Sequence, residues 1–189
     1  MVIRPAREDE LPAVWNLYAA VVEAMRGTPA DILWEMGVHP TRERLLDAVR
    51  AGDLLVAVED EVGCECAVPA IRGVCIVDGN QAGDYAKIPW RVDAVPDDVQ
   101  VIHLLAVDPA VRGRGVGRAL VEAAIDVARS RGALAVRLDV FDNNPLARAL
   151  YQSCGFADLG VCTLNVGDGF VHAANLMELD LRAAEGGAR

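Results

Sequence analysis

Apolar residues recur at helical spacing in the first part of the chain. Leu11, Val14, Leu17, Tyr18, Val21, Val22 and Met25 would line one face of a helix over residues 8–26, with acidic residues 8–10 at its positive end. A short strand over residues 2–4 precedes it, and Gly27 to Pro29 break it. Thr41 is placed to cap a second helix through Ala51, which Gly52 closes. The period then shortens. Leu54–Val58 and Ile71–Val77 are apolar strands, and Cys64–Ala67 reads as a further strand piece after a turn at residues 60–63. Residues 78–99 carry no clear period. A loop that long inside a compact domain is either functional or loosely held.

Beyond residue 100 the pattern sharpens. Residues 101–107 form a strand. Leu120, Val121, Ala124, Ile125 and Ala128 mark one face of a helix over residues 117–131, capped by Gly132. Residues 134–141 alternate as a strand. Asn144 and Pro145 open a short helix to Cys154, closed by Gly155. Residues 161–166 and 171–181 read as a hairpin around Gly167–Gly169, and residues 183–189 as a disordered tail. The order predicts a mixed α/β (α+β) chain, a single domain over residues 1–182.

Composition narrows the function. Of 189 residues 53% are hydrophobic, enough for a full core, and the formal net charge is −10. A nucleic-acid partner is not expected from so acidic a chain. No apolar run reaches a membrane span and no apolar leader opens the chain, so a cytoplasmic protein without membrane contact is expected. Five cysteines at irregular spacing predict neither a disulfide framework nor a metal site, the pair Cys64 and Cys66 included.

Against that acidic background, residues 107–120 read VDPAVRGRGVGRAL, with arginines at 112, 114 and 118 and glycines at 113, 115 and 117. A strand, a turn and a helix start put backbone amides and the helix dipole at one point, an anion site suited to phosphate or pyrophosphate. The bland reading is a solvated arginine-bearing turn. A P-loop would need Lys-Ser/Thr after Gly117, which is absent. A dinucleotide fingerprint fits only its first half, with Arg118 where a small residue belongs, although Asp139 stands at a ribose-binding distance.

Arg112-x-x-Gly115-x-Gly117 resembles the [Q/R]-x-x-G-x-[G/A] signature of the GCN5-related N-acetyltransferase (GNAT) superfamily. Residues 138–156, LDVFDNNPLARALYQSCGF, resemble that family's following strand and helix. The resemblance implies a mostly antiparallel sheet with two splayed parallel strands, flanked by helices. It implies acetyl-coenzyme A along the backbone of Leu105, Ala106 and Val107. The pyrophosphate would lie on Arg112, Gly113, Arg114, Gly115, Val116, Gly117 and Arg118. Asn144, with Asn143 as substitute, would contact the same cofactor, or simply cap its helix. Tyr151 would contact the cofactor and act as general acid toward the leaving thiolate, or be a core tyrosine. Asp139 and His103 are the candidate general bases. The competing reading for Asp139 is a solvated or Arg137-paired carboxylate; for His103 it is a structural histidine.

The same resemblance builds an acceptor site from residues 11–40, 78–99 and 163–172. These hold Trp15, Trp34, Trp90, Tyr85, Glu23, Glu35, Asp84 and Asp93, a set suited to an amine with an apolar body. The expectation is an N-acetyltransferase for a small-molecule or peptide amine, with a homodimer as quaternary state. The rivals are a non-catalytic acyl-coenzyme A sensor and, behind it, a nucleotide-dependent oxidoreductase.

Overall fold

The computed structural model describes residues 1–59, 70–81, 83–165 and 171–182. The strand piece at Cys64–Ala67, its preceding turn, the Gly167–Gly169 turn and the tail lie outside these. The chain divides into two compact units, residues 1–77 with 103–124, and residues 78–102 with 125–189.

The first unit carries β1 (Val2–Pro5), α1 (Leu11–Met25), α2 (Arg42–Ala51), β2 (Leu54–Val58) and β3 (Ile71–Asp78, to Val77). It also holds the second half of β4 (Val99–Val107) and the start of α3 (Val116–Ser130). β1 and β3 flank β2 antiparallel, and every residue of β2 is buried. The predicted stripe of α1 is its buried face: Val14, Leu17, Tyr18, Val21 and Val22. Thr41 accepts the Arg44 amide and Gly52 closes α2 in the left-handed region, as the sequence suggested. One acidic residue ahead of α1 does more than face the dipole. Glu10 has no exposed side-chain surface, takes both Arg4 guanidinium nitrogens at 2.6 and 2.8 Å, and accepts the Arg7 amide at 2.9 Å. Gly73 of β3 meets the start of α3 so closely that a Cβ there would stand 2.8 Å from Leu120 and 2.9 Å from Val116.

The second unit holds the first half of β4, the rest of α3, β5 (Ala135–Phe141), α4 (Pro145–Ser153), β6 (Ala157–Asn165) and β7 (Val171–Asp180). β4 pairs parallel with β5 from Val99↔Ala135 to Val101↔Arg137. β5 and β6 both pair antiparallel with β7. With β4 shared, the strand order of the seven-stranded sheet is β1-β2-β3-β4-β5-β7-β6.

Residues 78–99 read as either functional or loosely held, and the described ones among residues 78–98 are pinned by packing and hydrogen bonds. They form two short 3-10 turns, Gly83–Lys87 and Pro96–Asp98, and bury Tyr85 and Val92 in an apolar cluster with Val99, Val101 and Leu176. Glu178 of β7 explains the order. Its Oε2 accepts the Arg91 and Val92 amides at 2.8 and 3.1 Å, while Oε1 takes Arg137 Nε at 3.0 Å. The Trp90 indole donates to the Tyr85 carbonyl at 2.9 Å.

Candidate functional site

In the first unit the glycine–arginine loop grows out of the end of β4. The Asp108 amide bonds to the Arg72 carbonyl. Its carboxylate caps the Ala110 amide at 2.9 Å and takes Arg72 Nη1 at 3.0 Å. Residues Pro109–Val111 make one 3-10 turn, which buries Val111. The chain then surfaces: Arg112 through Gly115 are exposed, and only Val116 turns inward. Gly113 and Gly115 take φ of +78° and +83°, and a Cβ at either would meet nothing within 4 Å. Both are therefore glycines for backbone conformation, not for lack of space.

The first hydrogen bond of α3 runs from the Ala119 amide to the Gly115 carbonyl at 3.0 Å. The amides of Val116 and Gly117 precede that ladder at the positive end of the helix. Arg112 reaches the Met25 sulfur at 3.3 Å, and Arg118 pairs with Glu122 at 3.6 Å on the surface. Leu105 and Val107, like His103, are half-buried on β4, while Ala106 is buried. Leu104 among them has φ +52° inside the strand, and its carbonyl accepts the Tyr18 hydroxyl at 2.8 Å.

The second unit carries the other candidates. Asn144 caps α4: its Oδ1 accepts the Ala147 amide at 3.1 Å. Tyr151, 6% exposed, meets Phe156 edge-on at 5.7 Å. The expected Arg137 partner of Asp139 is instead given by the strand register to Glu178. Asp139 Oδ1 accepts the Tyr85 hydroxyl at 2.6 Å, and Oδ2 stands 3.5 Å from His172 Nε2. The His172 ring lies against Phe141 at 4.4 Å. Burial and then the Asp139 charge push the Tyr85 phenol well above its ordinary value, so it stays protonated and donates. Burial, then Asp139 and Asp84, also push the Cys162 thiol up.

Among the residues suggested for an acceptor site, Tyr85 and Trp90 are internal pins of residues 78–98. Asp84 holds Lys87 at 2.7 Å and the Asn165 amide at 2.9 Å. In the first unit Trp34 meets Tyr18 and His39 edge-on, and the Arg42 guanidinium lies 4.1 Å over the Trp15 ring. Nothing in the sequence singles out His172, Glu178 or Tyr18 for these roles. Their partners come from strand register and from a residue far away in the chain, and no local pattern marks them.

The acetyltransferase (GNAT) family model matches residues 35–156, which contain the loop, β4, β5 and Tyr151. The chain belongs to the GNAT family. The mycothiol acetyltransferase of Beutenbergia cavernae is 50% identical over 80 residues, 42% of this chain and 27% of that protein. The N-alpha-acetyltransferase RimI of Mycobacterium tuberculosis is 37% identical over 97 residues, 51% of this chain and 59% of that one. The GNAT chain thus spans less than two thirds of these relatives. Among solved structures, yncA from Salmonella typhimurium, described with its cofactor acetyl-CoA, superposes with a TM-score of 0.64 at 22% identity, covering 96% of this chain and 94% of that one. At that identity the likeness is one of fold, the GNAT fold expected from the motifs. Among the described residues, no helix is long and apolar enough to cross a membrane.

Proposed function

We propose that this GNAT protein is an N-acetyltransferase that takes its acetyl group from acetyl-coenzyme A and delivers it to an amine by direct attack in a ternary complex. The observation that carries the reading is the loop at residues 112–118, exposed from Arg112 to Gly115. Two glycines in the left-handed region, three arginines and the first amides of α3 meet in an otherwise acidic chain. A pyrophosphate fits that donor set. The backbone of Leu105–Val107 pairs with the pantetheine arm, and Asn144 adds a contact through the amide nitrogen that its capping role leaves over.

The bound thioester supplies the acetyl group. The lone pair of the neutral amine attacks the thioester carbon, the carbon–sulfur bond breaks, and sulfur leaves as thiolate. Tyr151 donates its proton to that thiolate. The proton lost by the amine passes to a base, with Asp139 or His103 as candidates, and on to restore the phenol. Asp139 Oδ1 already accepts the Tyr85 hydroxyl at 2.6 Å, so as the base it would act beside that bond.

The acceptor in this reading is a primary amine of a small molecule or a peptide, the protein works in the cytoplasm, and it forms a homodimer. Isothermal titration tests the donor: absence of binding by both acetyl-coenzyme A and coenzyme A refutes the proposal. A thiol-release screen over peptides, polyamines and aminoglycosides then tests transfer. Tight donor binding with no product from any acceptor would point to a sensor on the same fold. Light scattering reads the oligomeric state.

A further inference from the structure

Leu104 has φ +52° in the middle of β4, a region that a leucine seldom adopts. A left-handed residue inside a strand makes a bulge, which bends the strand, re-aims the next residues and ends regular pairing. Its carbonyl accepts from a side chain: the Tyr18 hydroxyl donates to it at 2.8 Å. Tyr18 comes from the inner face of α1 and is fully buried. Burial pushes its phenol well above the ordinary value, so the proton needed for this bond stays in place across the neutral range. Its ring is held independently of the hydroxyl, edge-on to Trp34 at 5.9 Å. Leu104 immediately precedes Leu105, Ala106 and Val107, whose backbone is the proposed partner of the pantetheine arm.

We infer that Tyr18 is a positioning residue for the acyl donor. Its hydroxyl holds Leu104 in the left-handed state, and that state sets the direction in which Leu105–Val107 present their amides and carbonyls. The inference rests on the proposed function for its ligand and on the geometry of the first unit for its mechanism. Without the hydroxyl, Leu104 relaxes toward the extended region it prefers, and the next peptides turn with it. The donor loses affinity, while chemistry at the thioester carbon, once the donor is bound, is little affected.

The test uses Tyr18→Phe, which keeps the ring and removes the bond, and the double variant Tyr18→Phe with Leu104→Gly. Glycine enters the positive-φ region about as readily as the negative one, so it needs no hydroxyl to hold it there. Acetyl-coenzyme A affinity is read by titration, KM and kcat by thiol release, and stability by thermal unfolding. Y18F is expected to weaken donor binding and raise its KM roughly tenfold, with kcat at saturation within about twofold. The double variant is expected to return to within roughly threefold of the wild-type affinity. Its melting temperature stays at or below that of Y18F, because the Tyr18 bond is still missing and the buried Leu104 side chain is gone as well. A merely structural tyrosine would move stability and affinity together, with no such split.

Wild-type affinity in Y18F, or a double variant that binds no better than Y18F, overturns the inference while leaving the acetyltransferase reading intact. A wild-type protein that binds neither acetyl-coenzyme A nor coenzyme A overturns that reading, and this use of the bulge with it. Should Y18F not fold, Leu104→Ile with Tyr18 kept decides: a β-branched residue resists the left-handed region, so a roughly tenfold loss of donor affinity with kcat at saturation little changed supports the inference, and wild-type affinity overturns it.

Discussion

Replacing Arg137 with methionine should destabilise the protein far more than a typical substitution. The side chains of Arg137 and Glu178 are 5% and 2% exposed. Arg137 Nε donates to Glu178 Oε1 at 3.0 Å, one terminal nitrogen donates to the Val92 carbonyl at 3.0 Å, and the guanidinium lies 4.6 Å over the Trp90 ring. The variant leaves Glu178 buried with two backbone donors and without its guanidinium counter-charge. Breaking a buried pair from one side costs about 3–5 kcal/mol. At about 2–4 °C per kcal/mol for a chain of this size, the melting temperature should fall by roughly 6–20 °C. Urea unfolding should give the same loss in stability through its midpoint, with the slope unchanged. The double replacement with Glu178→Met should recover little, although buried pairs often exchange for apolar residues at no cost. The Arg91 and Val92 amides would remain without their acceptor, at about 1–3 kcal/mol each. A loss below about 1 kcal/mol in Arg137→Met, or a double variant as stable as wild type, would show that this pair does not hold residues 78–98 in place.

Tyr151→Phe should lower kcat by about a hundredfold, with acetyl-coenzyme A affinity unchanged by titration; unchanged turnover removes Tyr151 as the acid. Gly73→Ala should cost about 1–3 kcal/mol in unfolding experiments, since its Cβ would press on Leu120 and Val116 at the start of α3. Arg4, against an opposing effect of burial, holds the Glu10 carboxyl below its usual value of 4.5. Its contribution is therefore complete above that value and is lost as pH falls through the lower folded-state value. Melting temperatures followed from about pH 6 down to about pH 3 should drop less steeply in Glu10→Gln than in wild type; identical slopes would refute the assignment.

Local chemistry wrote much of this protein openly into its sequence. The apolar stripe of α1, the Thr41 cap, the Gly52 and Gly155 stops, the Asn144 cap and the glycine–arginine loop each depend on residues within a few positions of one another. Helical periodicity, capping bonds and positive-φ glycines are short-range effects, so a single sequence displays them. The two motif blocks around Gly115 and Tyr151 were enough to identify the family. Residues 78–98 were illegible for the opposite reason. Their order comes from Glu178 and Asp139, roughly 50 to 90 positions away, and only the packing of this segment against β5 and β7 makes them neighbours. Register moved Arg137 from Asp139 to Glu178. A strand pattern fixes which face a residue occupies. It does not fix which partner lies across the ladder, because shifting two strands by two residues preserves every face and changes every pair. Tyr18 is the sharpest case. Its sequence spacing marks only a core position on α1, and the bond that its hydroxyl makes to Leu104 exists only once α1 and β4 have packed together.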